Sequence, residues 1–409
     1  MRSDVELAEG ILQRADALAA CSEEAGRITR VVYSPAMRLA NDLVAGWMRE
    51  AGLSVREDAA GNLLGRYDAR QPGAKTLLIG SHLDSVRDAG RYDGPLGVLV
   101  AIACVQRLHD AGERLPFAIE VVGFCDEEGV RFQTTYLGSR ALAGTLTAAD
   151  LARVDAQGVS IAEAMRRFGG NPEHLDLARR EARELIGYIE VHTEQGPVLD
   201  RMALPVGVVT GIVGQTRATL TFAGRAGHAG TTPPSLRQDA LAGAAHVILL
   251  VETLMRREPG LLATVGQIEI QPGASNVIPG LARVTVDLRH ADNAVREHFM
   301  ELLAAGARHM ARQRRLEVKH EIVQSTSSIG CAPEFISLLR QAAQAHVPQV
   351  VELPSGAGHD AAALAALTPV GMLFVRCKDG LSHHPDESVQ AEDVAVAVGV
   401  LSDFLRLVK

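Results

Sequence analysis

The 409-residue sequence predicts an α/β protein: a mixed, mainly parallel sheet flanked by helices, with an inserted ferredoxin-like α+β domain. Three observations predict it. Short apolar runs of strand length alternate with stretches of helical spacing, which indicates α/β architecture. The chain is longer than the roughly 250–300 residues that one hydrophobic core supports, so two domains are expected. From about residue 213 to 325 the pattern reads β-α-β-β-α-β, the order of a ferredoxin-like unit. The expected domains are therefore residues 1–212 plus 326–409, and an insert, 213–325.

The elements follow in order. Helical spacing covers 4–21 and 35–52, where Ser34-Pro35 supplies an N-cap and first-turn proline and Gly52 a stop. Residues 53–55, 62–67 and 76–79 read as strands, with a turn at Asp58-Ala-Ala-Gly61. A helix over 95–108 begins on a proline suited to a first turn. Residues 117–124 form a nearly continuous apolar run, as in a strand buried on both faces. The Ala- and Arg-rich stretch 139–185 reads as helical, and 186–191 as the next strand. In the insert, Thr216, Ala218, Leu220 and Phe222 alternate onto one face of a half-exposed strand. A helix (235–257), strands at 263–270 and 282–288, a helix (292–313) and a strand (315–323) follow. Then come a helix at 333–346, a Gly-rich loop Ser355-Gly-Ala-Gly-His-Asp360, a strand at 370–375 and a helix from about 391.

Composition excludes several classes. A net charge of −8 argues against nucleic acid as a partner. The N-terminus has no signal-peptide h-region, and no apolar run reaches the ~20 residues that span a membrane. Cys21, Cys104, Cys125, Cys331 and Cys377 are scattered and include no Cys-x-x-Cys, so a reduced, cytoplasmic protein is expected.

Four strand ends carry chemistry-bearing residues. The Gly-rich loop from Gly80 to Gly97 holds His82, Asp84, Asp88 and Asp93. Asp126-Glu127-Glu128 follows the run 117–124, His192 ends the strand 186–191, and His383-His384 lies beyond the strand 370–375. Open α/β sheets place their sites at the carboxyl ends of strands. Three successive acids repel one another, and a cation is the simplest compensation.

Imidazoles with carboxylates suit two divalent ions per subunit, of Zn, Mn, Co or Ni. A two-metal hydrolase needs about three ligands per ion, one bridging carboxylate and one carboxylate kept off the metals as base. His82, Asp93, Glu128, His192 and His383 supply the sphere. Glu127, which faces the other way from Glu128 on extended backbone, supplies the base. Asp84 is expected to accept the free ring N–H of His82 from the second shell.

Eight motifs stand in order along almost the whole chain: Gly80-Ser-His-Leu-Asp-Ser-Val, Tyr92-Asp-Gly-Pro-Leu-Gly-Val, Asp126-Glu-Glu-Gly-Val-Arg-Phe, Glu190-Val-His-Thr-Glu-Gln-Gly-Pro, Gly227-His-Ala-Gly-Thr-Thr-Pro, Ser275-Asn-Val-Ile-Pro-Gly, Ser355-Gly-Ala-Gly-His-Asp-Ala and Leu381-Ser-His-His-Pro. In them the chain resembles the hydantoinase/carbamoylase family of amidases, within the dinuclear-metal aminoacylase and carboxypeptidase superfamily. That family includes allantoate amidohydrolases, N-carbamoyl-L-amino acid hydrolases and β-ureidopropionases.

The resemblance implies roles. His82, Asp93 and His192 would hold one ion and Asp93, Glu128 and His383 the other, with Asp93 bridging and Glu127 as general base. His192 stands where peptidase relatives have an acid. The family's ligand directly follows the serine of Leu381-Ser-His-His-Pro, which selects His383 over His384. Arg289 and Asn276 would bind a substrate carboxylate, Gln195 the ureido group, and Gly358 and His359 further parts of the substrate. His228 would stabilise the oxyanion in a neighbouring subunit's site. The insert would then serve as lid and dimerisation domain of a homodimer, and the rest of the chain as the metal-binding catalytic domain.

The expected activity is metal-dependent hydrolysis of a C–N bond in a small-molecule ureido compound bearing a carboxylate. Allantoate is favoured over N-carbamoyl-L-amino acids by slightly closer similarity at Gly211-Ile-Val-Gly-Gln215 and the Ser355 loop. The alternatives are an N-carbamoyl-L-amino acid hydrolase or β-ureidopropionase and, of another kind, a peptidase or aminoacylase of the same superfamily or a non-catalytic binding module.

Overall fold

The strands Thr76–His82 and Ala118–Phe124 are buried along their whole length, which is why their sequences are apolar throughout and do not alternate. They pair in parallel. Thr76–His82 also pairs in parallel with Leu185–Thr193, and that strand in turn with Val370–Val375. These four form the centre of a nine-stranded sheet in the computed structural model, which describes residues 2–409. Its margins are antiparallel. Ser54–Glu57 and Leu63–Tyr67 extend it beside Ala118–Phe124, and Val206–Ile212 extends it beside Val370–Val375. Because the central four run the same way, the residues that follow them emerge at one edge of the sheet.

Helix Pro95–Asp110 packs on Thr76–His82 and Leu185–Thr193, and nearly all its residues are buried. It starts where the chain must turn sharply against the site. Gly94 sits at φ +84°, and a Cβ there would fall 2.5 Å from the His82 ring. Helices Asp4–Ala19 and Ala391–Leu407 pack on one another and on Pro95–Asp110. A capping box between Ser3 and Glu6 starts the first of these, and Ser34 Oγ caps helix Pro35–Glu50 ahead of its N1 proline.

The structure departs from the sequence pattern most in two places, besides the unexpected short strands Gly227–His228, Val277–Ile278, Ile329–Gly330 and Glu352–Ser355. The stretch 139–185 is not continuously helical: Leu137–Ala143, Ala148–Leu151 and Ile161–Phe168 are short helices, followed by 3₁₀ turns at Pro172–Leu177 and Ala182–Glu184. Gly144 and Gly169 close two of the helices, and Thr147 and Ser160 cap new starts, so good intrinsic helix formers are overruled by local stops. The strand Val206–Ile212 also escaped the pattern, because its apolar run adjoins the alternating strand Gly214–Ala223 with only residue 213 between them.

The chain divides into two compact units, Met1–Gly211 with Gly330–Lys409, and Ile212–Ile329. The second is a four-stranded antiparallel sheet in the order Glu317–Thr326, Gly214–Ala223, Leu281–His290, Leu262–Gln271. Helices Ala240–Met255 and Asn293–Arg314 complete the ferredoxin-like unit, and its core gathers Leu220, Phe222, Val247, Val284, Leu288 and Leu303. No helix among the described residues is long and apolar enough to cross a membrane.

Candidate active site

His82 is the last residue of its strand, and His192 the last but one of Leu185–Thr193. Asp93 lies in the loop before helix Pro95–Asp110, Glu127 and Glu128 just beyond Ala118–Phe124, and His383 just beyond the 3₁₀ turn Lys378–Gly380. The fold brings them together around one carboxylate. Asp93 Oδ1 is 3.3 Å from His192 Nε2 and 3.9 Å from His82 Nε2. Asp93 Oδ2 is 3.1 Å from His383 Nε2, which is 3.4 Å from Glu128 Oε1.

Two groups of three, His82-Asp93-His192 and Asp93-Glu128-His383, each have ligand atoms within 4.8 Å of one another, and they share Asp93. Atoms about 2.1 Å from a tetrahedral ion lie roughly 3.4 Å apart, so these spacings fit a divalent metal. His192 Nε2 is buried with no hydrogen-bond partner, as expected of a nitrogen whose partner is an ion. Its other nitrogen, Nδ1, lies 3.0 Å from the Thr193 carbonyl, which fixes the ring. Residues that can hold a metal are thus present.

Crowding and burial shift the charged states of these groups. Burial and the nearby Asp93 push the Glu128 carboxyl up to about 7. Burial, with the like charges of Glu128, Asp360 and Asp84, pushes Glu127 well above the ordinary carboxylate range, against the pull of His82. Burial opposes ionisation of Asp93, but the hydrogen bond from His383 and the charges of His192 and His82 hold its carboxyl well below that range. Burial lowers His192 to about 4, keeping it neutral and able to donate a lone pair.

The supporting contacts differ in part from the sequence expectation. His82 Nδ1 meets the main-chain carbonyl of Asp84 at 3.1 Å, while the Asp84 carboxylate is 3.5 Å away. That carboxylate also accepts the main-chain N–H groups of Glu127 and Glu128, at 3.0 and 3.1 Å. Asp84 therefore holds the acidic turn, and its carbonyl orients His82. Gln195 Nε2 donates to Asp93 Oδ1 and Ser382 Oγ, both at 3.0 Å, and Gln195 Oε1 is buried without a partner. Gly358 lies beside Glu127, within 3.3 Å of Oε1 for a Cβ built there. His359, expected to touch substrate, is 1% exposed. Its ring packs on those of His192 and Phe374, and Nε2 is 2.7 Å from Ser355 Oγ. It packs behind His192, and the two rings with Glu190 form a further group whose ligand atoms lie within 4.8 Å of one another. His384 is exposed and accepts the Asp386 N–H at 3.2 Å.

Three expected residues belong to the Ile212–Ile329 unit. His228 and Asn276 are neighbours there. The short strand Gly227–His228 pairs with Val277–Ile278, and the Asn276 carbonyl accepts the Ala229 N–H at 3.0 Å. His228 Nδ1 accepts the Gly230 N–H at 3.1 Å. Arg289, next to last in Leu281–His290, donates through Nε to Asp287 Oδ1 at 3.0 Å.

A family model described as Peptidase family M20/M25/M40 matches residues 78–407. The chain belongs to this family. An N-carbamoyl-L-amino acid amidohydrolase of Geobacillus stearothermophilus is 44% identical over 383 residues, 93% of each chain. An allantoate deiminase of Arabidopsis thaliana is 40% identical over 431 residues, covering 98% of this chain and 82% of that one. The crystal structure of a hydantoinase/carbamoylase family amidase from Burkholderia multivorans matches with a TM-score of 0.91 at 34% identity over 97% of both chains. This M20-family protein is a metal-dependent hydrolase acting on C–N bonds.

Two buried acids of the M20 site escaped the sequence reading. Glu387 Oε1 accepts the N–H groups of Tyr92 and Asp93, at 2.8 and 3.1 Å, and Oε2 accepts Ser382 Oγ–H at 3.0 Å. Glu190 accepts Ser81 Oγ–H at 2.8 Å and Ala361 N–H at 3.0 Å. A signal existed for the second: Glu190 and His192 are two apart on one strand, so they share a face. For Glu387, nothing in the spacing shows that it folds back under Asp93.

Proposed function

We propose that this protein hydrolyses a C–N bond of a linear ureido compound bearing a carboxylate, with allantoate first and N-carbamoyl-L-amino acids second. The observation that carries the reading is the shared Asp93, between two three-ligand groups, with Glu127 beside them and outside both. His82, Asp93 and His192 would hold one divalent ion and Asp93, Glu128 and His383 a second, of Zn, Mn, Co or Ni. Such a pair, when bound, supplies an acidified water and an electrophile for the ureido carbonyl.

The chain's own groups do the rest. Glu127, whose burial raises its proton affinity, takes the proton of the attacking water and returns it to the leaving nitrogen. Asp84 keeps Glu127 in place through its main-chain N–H. The unpartnered Gln195 Oε1 is available to a ureido N–H. Arg289 and Asn276 take the substrate carboxylate, the guanidinium bidentately. His228, reaching the site of a neighbouring subunit, steadies the developing oxyanion there.

The names of relatives support the substrate class: an N-carbamoyl-L-amino acid amidohydrolase and an allantoate deiminase. A homodimer through the Ile212–Ile329 unit is supported by its sheet edges. Leu262, Ile268 and Ile270 are exposed on one edge strand, and Ile322 and Val323 on the other. Apolar edges of this kind call for a cover. Five buried, unpaired cysteines suit a reducing cytoplasm.

Substrate depletion after loading with Mn²⁺ or Zn²⁺ tests the reading. Allantoate is expected to be turned over fastest, N-carbamoyl-amino acids more slowly, and acetyl-amino acids and dipeptides not at all. Turnover of acetyl-amino acids with none of the ureido compounds would sink it. Arg289→Ala should raise KM for the carboxylate substrate about 10- to 100-fold with a smaller change in kcat, read from initial rates. An unchanged KM moves the carboxylate site elsewhere.

A further inference from the structure

Tyr136 is a bulky residue held in the left-handed region, at φ +63°. Such backbone persists only where its surroundings fix it, and it gathers at functional sites. Here the acidic turn fixes it. Tyr136 N–H donates to the Glu127 carbonyl at 3.2 Å, and Leu137 N–H to the Asp126 carbonyl at 2.8 Å. Beyond it, helix Leu137–Ala143 packs against helix Asp360–Leu364, which follows the Gly-rich loop.

This backbone aims the phenol at one point of the site. A Cβ built on Gly358 would fall 2.1 Å from Tyr136 Oη and 3.3 Å from Glu127 Oε1. Hydroxyl and general base thus border the same patch of bare main chain. The hydroxyl makes no hydrogen bond among the described residues. Burial, with the carboxylates of Glu127, Asp360, Glu190 and Glu128, holds the phenol far above its ordinary range, so it stays protonated. It is a neutral donor among acceptors.

We propose that Tyr136 is a substrate-contacting residue of this site, its hydroxyl donating a hydrogen bond to the oxygen of the ureido group that Glu127 serves. The proposal rests on the ureido reading above. A ureido group presents N–H donors and one carbonyl acceptor. Gln195 Oε1 can receive an N–H group, but an acceptor of this kind cannot donate to the oxygen. Tyr136 can, and the absence of a side chain at 358 leaves room for it to do so.

Tyr136→Phe removes the oxygen and keeps the ring. Its kcat/KM for the ureido substrate is expected to fall about 10- to 100-fold, mostly in kcat, with metal content and thermal midpoint as in wild type. An unchanged kcat/KM overturns the proposal, since a tyrosine that only fills space loses nothing here. A second pair of variants tests the geometry without any substrate. Gly358→Ala should lower the thermal midpoint by roughly 2–6 °C, because the new methyl meets the hydroxyl. Combining it with Tyr136→Phe should restore most of that loss, since the nearest remaining atoms lie 3.3 Å away. Absence of recovery places the hydroxyl elsewhere and overturns the proposal. If wild type turns over acetyl-amino acids alone, the ureido reading fails, and with it the ligand assigned to the hydroxyl. Recovery in the double variant would still place the hydroxyl over Gly358.

Discussion

Glu127→Gln should lower turnover by about 10²–10⁴-fold and leave the bound metal unchanged. The amide cannot take a proton from water, but it matches the carboxylate in size and keeps the main-chain N–H that Asp84 holds. Glu128, next in sequence, lies against His383 instead. Metal analysis of the purified variant beside its ammonia-release rate reads both halves of the prediction. Full activity would exclude Glu127 as the base. Lost metal would give a different answer. His82, Glu127 and Glu128 also lie close enough to form a ligand group, and Glu127 would then be a ligand with the base elsewhere.

Asp93→Ala should be as damaging, for a different reason. One carboxylate serves both ligand groups, so its loss should cost more than the roughly 10- to 100-fold in metal affinity typical of an outer-shell contact. Metal content and activity should fall together, and excess metal should restore little of either. Retention of the wild-type metal content with activity near wild type would show that the groups do not depend on Asp93. The residues around it predict a folded variant. Glu387 still holds the main-chain N–H groups of Tyr92 and of position 93, and helix Pro95–Asp110 keeps its buried face.

Much of this site was legible because the sheet makes strand ends meaningful. Thr76–His82, Ala118–Phe124, Leu185–Thr193 and Val370–Val375 are apolar runs, and each ends near a histidine or an acid. Parallel pairing carries those ends to one edge. The insert was legible because Thr216, Ala218, Leu220 and Phe222 alternate inward, as a one-sided antiparallel sheet requires. Asp84 was legible as a neighbour of His82, but its hold on the Glu127 and Glu128 main chain was not. Its spacing of two from His82 shows that the pair is near, but not which way the carboxylate turns.

The sequence by itself determined the fold class, the family and the residue types gathered at the strand ends. Only the tertiary structure decided their partners. It set Asp93 between two histidines and a third, ran Glu387 back beneath it from almost 300 residues away, and placed His359 behind His192. It also aimed Gln195, His383 and Tyr136 with left-handed backbones at φ +55°, +55° and +63°. None of the three is glycine, and only His383 is of a residue type enriched in that conformation. The surrounding packing imposes it, and with it the direction in which each side chain points.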